Sequence, residues 1–352
     1  MWALPFAATA QTAAVESADP VAAPAPPPIG QDPLAQRYAL GQGLRLGSSG
    51  FTLGGYGELG YRDPGDARDW DAAVDALSAF LWWDGGGRWR FFSETELADV
   101  ARVDNDGAHA SDAELISERL YLDYAWRDEL KLRFGKFLTP VGRWNLIHAA
   151  PLTWTSSRPL ITEATFPTNA TGAMVYGVLP WTAQGIEYSV YASPGEELFR
   201  EDDLDTFREA VGARVSGYAG PHVQLGLSWA TFEQESDAET RKQLIGGDFA
   251  WSWHRFELSG EYAVRSLSGR EEQQDEKGYY VQAVAPLFAQ VYAVGRYEAF
   301  HQSGADRDLN LYLGGLAWRP MPALVFKGEY SRATDNDVGV PDGWRASIAV
   351  LF

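Results

Sequence analysis

Five histidines, His109, His148, His222, His254 and His301, are the chain's only imidazoles, and they fall one to a segment. No His-x-x-x-His pair would seat a metal on one helix face, and no Gly-x-Ser-x-Gly elbow would expose a nucleophile. Cysteine is absent from all 352 residues, which excludes thiolate metal sites, cysteine nucleophiles and disulfides. A Ser-His-acid triad gathered from separate strands is the one catalytic arrangement left open, because triads are defined by geometry rather than chain order. Gly55-Tyr56-Gly57-Glu58-Leu59-Gly60 matches the dinucleotide fingerprint letter for letter. That motif works only as a strand, a turn and then a helix that holds pyrophosphate, whereas Phe51 to Tyr61 reads as one strand. The glycines there are read as close packing. No catalytic residue, metal or cofactor is therefore assigned, and the chain is not expected to be an enzyme.

The charged residues that remain are distributed by strand face. Phe256, Leu258, Gly260, Tyr262 and Val264 alternate with Arg255, Glu257, Ser259, Glu261 and Arg265. Leu324, Phe326, Gly328 and Tyr330 alternate with Lys327, Glu329 and Ser331, and Leu120, Leu122, Tyr124 and Trp126 with Arg119, Tyr121 and Asp123. Period two with one apolar and one charged face suits a wall between lipid and water. No comparable helical spacing occurs after residue 50. A soluble β-sandwich or lipocalin-like barrel shares the period but turns its apolar face inward. Charges on one face of nearly every strand disfavour that arrangement, as do Trp83, Trp126, Trp251 and Trp318 beside the turns, where interfacial girdles form.

Breaks between strands alternate in length. Short ones fall at 84–87, 127–129, 180–182, 219–221, near His254, at 286–287 and at 320–322. Long ones fall at 62–70, 99–113, 139–170, 194–206, 233–242, 267–277, 302–307 and 333–342. Short turns at one rim and long loops at the other predict an antiparallel transmembrane β-barrel of about sixteen strands over 50–352. An even count places both ends of the barrel in the periplasm. Residues 1–10 end in Ala8-Thr9-Ala10 and are expected to be a signal-peptide remnant, and 11–49 a Pro/Ala-rich periplasmic arm. The final run from Trp344 to Phe352 puts Trp344, Ala346, Ile348, Val350 and Phe352 on the lipid face and resembles the C-terminal signature of bacterial outer-membrane proteins, a resemblance that implies an assembly signal at Phe352. The 45% hydrophobic content coexists with a mean hydropathy of -0.26, so apolar residues are dispersed rather than gathered into helical spans. A net charge of -19 and a pI near 4.6 argue against nucleic-acid partners.

The third external loop differs from the rest. Others are acidic, as at Glu201-Asp202-Asp203 or Glu271-Glu272, but this one carries Trp144, Leu146, Ile147, Leu152, Trp154, Leu160, Ile161 and Phe166. So apolar a loop is expected to pack rather than sit in water, and the available place is the lumen. Arg143, His148, Arg158 and Glu163 are the candidate constriction residues. Glu94, Glu96, Arg119, Asp123, Lys131, Arg133, Arg296, Glu298, Lys327 and Glu329 are the candidate pore-lining residues, in a lumen of mixed charge that also includes Arg90, Arg214, Arg255, Glu187 and Glu257.

The run Phe91-Phe92-Ser93-Glu94-Thr95-Glu96, then Tyr121-Leu122-Asp123-Tyr124, Arg133 through Asn145, and Arg158-Pro159-Leu160 resemble the phosphate-selective porin O/P-like family. With Phe352 the resemblance spans roughly residues 50 to 352. It implies a sixteen-stranded trimeric channel of the Gram-negative outer membrane whose third external loop folds inward. It also implies outer-membrane lipid, lipopolysaccharide and the barrel-assembly machinery as partners. Phosphate selectivity is not carried over, because the lysine cluster that marks it is missing from this loop. The function expected is passive diffusion of small hydrophilic solutes or ions, phosphate and other anions among them, with weak selectivity. A closed barrel serving as envelope anchor or adhesin is the structural alternative, and a barrel hydrolase the enzymatic one.

Overall fold

A computed structural model describes residues 38–65, 70–109, 113–195, 205–268, 275–303, 307–335, 340 and 342–352. The expected signal-peptide remnant, most of the arm, and the acidic stretches 201–203 and 271–272 lie outside the described residues.

Sixteen antiparallel strands form one sheet: β1 Phe51–Asp63, β2 Asp71–Asp84, β3 Trp89–Asp104, β4 Glu114–Arg127, β5 Leu130–Leu138, β6 Asn169–Leu179, β7 Ile186–Ser193, β8 Phe207–Ala219, β9 Val223–Gln234, β10 Asp237–Trp253, β11 Phe256–Ser268, β12 Glu276–Phe288, β13 Val291–His301, β14 Leu309–Met321, β15 Leu324–Thr334 and β16 Gly343–Leu351. Each pairs with its chain neighbours. The sheet closes where β16 pairs with β1, from Trp344↔Asp63 to Leu351↔Tyr56. Closure leaves no unpaired edge, the condition for a sheet that stands in hydrocarbon. Phe352 completes the seam, its backbone N–H and C=O both bonding to Gly55 at 2.9 and 3.0 Å. A Cβ at Gly55 would lie 2.8 Å from the Phe352 ring and 2.1 Å from the Ser78 carbonyl, so the glycine is required there. The fingerprint-like glycines thus stand within one continuous strand, as the sequence context demands. Ahead of the barrel, Tyr38–Ala39 and Gly43–Arg45 form a small antiparallel pair, and Leu44 pairs with Leu53 of β1.

Exposure is inverted relative to a soluble protein. Leu227, Ile245, Tyr262, Leu316 and Trp344 are exposed, while Glu94, Lys136, Arg296, Glu298, Lys327 and Glu329 are buried. An outward apolar face around a charged interior is stable only against lipid. On the outward face near the loop rim, seven successive strands, β11 to β16 and then β1, each present one aromatic ring: Tyr262, Tyr279, Tyr297, Tyr312, Tyr330, Trp344 and Tyr61. Three of the neighbouring pairs touch, with centroids 5.9 Å apart for Tyr279–Tyr297 and 5.1 Å apart for Tyr297–Tyr312 and for Tyr330–Trp344.

Four breaks differ from the sequence expectation. Within 99–113, β3 continues to Asp104 and Gly107–His109 pairs back on it. The long loop expected at 233–242 is a two-residue turn, because β9 runs to Gln234 and β10 resumes at Asp237. Both faces of that hairpin are polar, which reads as loop; ladder bonds continue all the same, and Arg241 ties the hairpin to Glu209 and Glu233. The turns expected at 286–287 and 320–322 sit slightly later, since Pro286 and Pro320 lie at register shifts inside β12 and β14 rather than at the turns. A proline without an N–H is tolerated at such an irregularity.

Candidate functional site

The 30 residues between β5 and β6 are the longest described connection, and they are folded rather than extended. Two short helices, α1 Trp144–Ile147 and α2 Leu160–Ala164, flank a 3-10 turn at Ala150–Leu152. Pro159 N-terminal to α2 and Pro151 at the start of the turn fix φ where the helical backbone begins. Trp144, Ile161 and Phe166 are buried, as expected of so apolar a loop. Ile161 and Trp144 cluster with Ala263, Tyr280 and Phe300 of β11, β12 and β13, and Phe166 and Val141 cluster with Phe137, Phe232 and Leu244. Ala149 packs instead against Tyr56, Phe80 and Phe92 of β1, β2 and β3.

Polar bonds fix the segment further, and most of them use its backbone. Glu261 of β11 accepts the N–H groups of Arg143 and Trp144 at 2.9 and 2.5 Å. Glu298 of β13 accepts Leu160 N–H at 2.7 Å. Glu329 of β15 accepts Ser156 and Ser157 N–H, each at 2.9 Å. Cations on the same strands take the carbonyls. Arg296 donates to Ser157 O at 2.9 Å, Arg319 to Pro151 O and Thr153 O at 2.8 and 2.7 Å, Lys327 to Thr155 O at 3.1 Å, and Arg265 to Thr165 O at 3.1 Å. Short helices leave most of their terminal N–H and C=O groups without an intrahelical partner. The charges of the β11–β15 wall supply those partners, through charge-assisted bonds that are about twice as strong as neutral ones.

The wall formed by β1 to β5 behaves differently, because its charges pair with side chains. Glu94 forms a close ion pair with Arg119. Arg133 grips Asp123 with two bonds of 2.8 and 2.9 Å, and Tyr176 donates to the same carboxylate at 2.8 Å. Glu96 accepts from Tyr56 at 2.7 Å and Ser78 at 2.5 Å. The guanidinium of Arg133 stacks 3.6 Å from the Tyr121 ring centroid.

The expected constriction residues are not one cluster. His148 lies against the β3 wall, 3.9 Å from Glu94, and neither ring nitrogen has a hydrogen-bond partner. Burial, and after it the charges of Arg119 and Arg158, hold the His148 imidazole well below its ordinary range, so it is neutral at pH 7. Arg158 reaches Asn145 Oδ1 at 3.2 Å, within the segment. Arg143 extends to Gln224 of β9 at 3.1 Å. Glu163 is exposed on α2. Among the expected lining residues, Glu94, Asp123, Lys131, Arg296, Glu298, Lys327 and Glu329 are buried, and Glu96, Arg119 and Arg133 are half-buried. Arg255 is a correction. It sits in the β10–β11 turn, exposed and bonded to Tyr292 Oη at 3.2 Å, because the strand begins one residue after it. The roles of Glu261 and Arg319 in holding the segment have no sequence signal. Glu261 is one more charge on a wet face, and Arg319 falls where Pro320 suggests a turn.

No protein-family model matches the chain. An uncharacterized protein of Aquifex aeolicus (strain VF5) is 25% identical over 360 residues, covering 86% of this chain and 80% of that one. Among solved structures, the anion-selective porin from Comamonas acidovorans superposes with a TM-score of 0.58 at 15% identity, covering 86% of this chain and 98% of that one. OmpT of Vibrio cholerae in its trimer form does so with a TM-score of 0.57 at 12% identity, covering 86% and 99%. At these identities the likeness is one of fold, a closed sixteen-stranded antiparallel barrel of the outer-membrane porin kind.

Proposed function

We propose that the chain is an outer-membrane porin, a passive channel for small hydrophilic solutes, with the 139–168 segment lying in the lumen and setting its bore. The observation that carries this reading is the set of bonds just described. A segment that leaves the barrel between β5 and β6 meets β1, β2 and β3 through Ala149, and β11, β13, β14 and β15 through its backbone. Elements on separate sides of a closed barrel can share one short segment only if it passes across the interior. Size exclusion then follows from the segment, and charge bias from the wall facing it.

Arg143, His148, Arg158 and Glu163 are assigned to the constriction, and the charged residues of both walls to the lining. Because acids and bases are interleaved and largely paired, selectivity is weak. Anion selectivity, phosphate included, is a property of other porins and is not assigned to this one. The protein sits in the outer membrane as a homotrimer in contact with lipid and lipopolysaccharide, its loop rim outside and its terminal arm in the periplasm. Phe352 presents the assembly signal to the barrel-assembly machinery. Purified, folded protein in a planar bilayer is expected to give stepwise ionic conductance, in steps of three for a trimer. Folded protein that never conducts contradicts the proposal.

A further inference from the structure

The outward wall carries a groove of about 750 Å³ across β7 to β12. Two ladder rows define it. Leu227, Gly247, Tyr262 and Tyr279 pair in succession in one row, and Leu225, Phe249, Gly260 and Val281 in the next row toward the turns. Gly247 makes the depression: a Cβ there would meet nothing closer than Leu227 at 3.7 Å, so the space above it is open. The lining is apolar, and its loop-rim end is bounded by the Tyr262–Tyr279 pair of the aromatic girdle. Two pairs further toward the loops, Val264 stands opposite Lys277, an exposed cation on the same outward face with no hydrogen bond or ion pair among the described residues.

We propose that this groove binds the lipid A portion of lipopolysaccharide, with an acyl chain lying over Gly247 and a phosphate on Lys277. Charge complementarity selects the occupant, because an exposed ammonium just above an aromatic belt meets the phosphate layer of an anionic lipid. The spacing agrees. At about 3.3 Å per residue, Lys277 stands about 7 Å beyond Tyr279 and about 13 Å beyond Val281, so headgroup, interface and chain fall in the order of a lipid. The inference rests on the proposed orientation, which puts the loop rim in the outer leaflet.

Native mass spectrometry of the folded wild-type barrel, mixed with deep-rough lipopolysaccharide or with phosphatidylcholine, tests it. One retained lipopolysaccharide per barrel is expected, with retention reduced at least tenfold in Lys277→Glu and again in Gly247→Leu, whose side chain fills the groove from outside. Unchanged retention in both variants overturns the proposal, as does equal retention of phosphatidylcholine. Both positions face away from the lumen, so bilayer conductance of the variants reports the channel separately. Loss of lipid binding with wild-type conductance supports both readings. Lipid binding as expected in a barrel that never conducts leaves this site standing and removes the channel.

Discussion

The two inner walls of this barrel carry similar residues and use them for different ends. On β11 to β15, Glu261, Glu298, Glu329, Arg265, Arg296, Arg319 and Lys327 all bond to the backbone of the 139–168 segment, although Arg296 also pairs with Glu298 and Arg265 with Glu276. On β1 to β5, Glu94, Arg119, Asp123 and Arg133 bond to one another. A charge spent on backbone amides positions a loop and has little field left for a passing ion. A charge spent on a neighbouring side chain braces the wall, and of that group Arg119 and Arg133 stay half-buried rather than buried. The difference teaches that a lumen census by sign alone misjudges selectivity, since many of the inner charges are fasteners.

If that division holds, its largest consequence lies on the fastening wall. Replacing Glu298 and Glu329 together by alanine frees three N–H groups of the segment, at a cost of about 3 kcal/mol or more when buried charge-assisted bonds are lost. Single-channel conductance is expected to rise several-fold, with larger sugars entering proteoliposomes. Unaltered conductance would mean that the apolar contacts of Trp144, Ile161 and Phe166 hold the segment alone.

A smaller effect is expected on the other wall. Arg119→Ala removes a half-buried cation from the wall, so reversal potentials across a salt gradient shift toward cation preference while conductance changes little. The matching change at Arg296 is expected to raise conductance instead, because its guanidinium holds Ser157. Equal shifts in reversal potential from the two variants would erase the distinction between the walls.

The smallest effect concerns pH. The His148 imidazole is held below its ordinary value of 6.5 by burial and by Arg119 and Arg158. An unfolded chain takes up a proton there as pH falls through 6.5, and the folded chain does not. Stability contributed by this site is therefore present above pH 6.5 and declines as pH drops below it. His148→Asn is expected to flatten that decline, measured as thermal unfolding between pH 7.5 and about 5 in detergent.

Much of the barrel is legible in the sequence because period two and the cost of charge in lipid leave few alternatives. Strand number, the closing strand at Trp344 to Phe352 and the faces of Phe256–Arg265 follow from those constraints. The 233–242 hairpin misleads because strands that rise past the membrane have water on both faces and lose their alternation. Pro286 and Pro320 mislead because a register shift tolerates them inside a strand. The site is legible only in part. The apolar content of the 139–170 stretch marks it as packed, and its placement in the lumen is our proposal. The anchoring of that stretch is largely invisible because most of its donors and acceptors are backbone groups, which every residue has. Nothing in the spacing of Arg143 and His148 says that one turns to β9 and the other to β3.

The absence of cysteine makes the decisive measurement simple. Glu163, exposed on α2, is replaced by cysteine and a single wild-type-like channel is recorded while a charged, water-soluble thiol reagent is added to the bath. A segment that lines the bore gives a permanent stepwise drop in conductance as each subunit reacts. Complete labelling of the Glu163→Cys protein with no change in conductance would show that the segment lies outside the path of the ions.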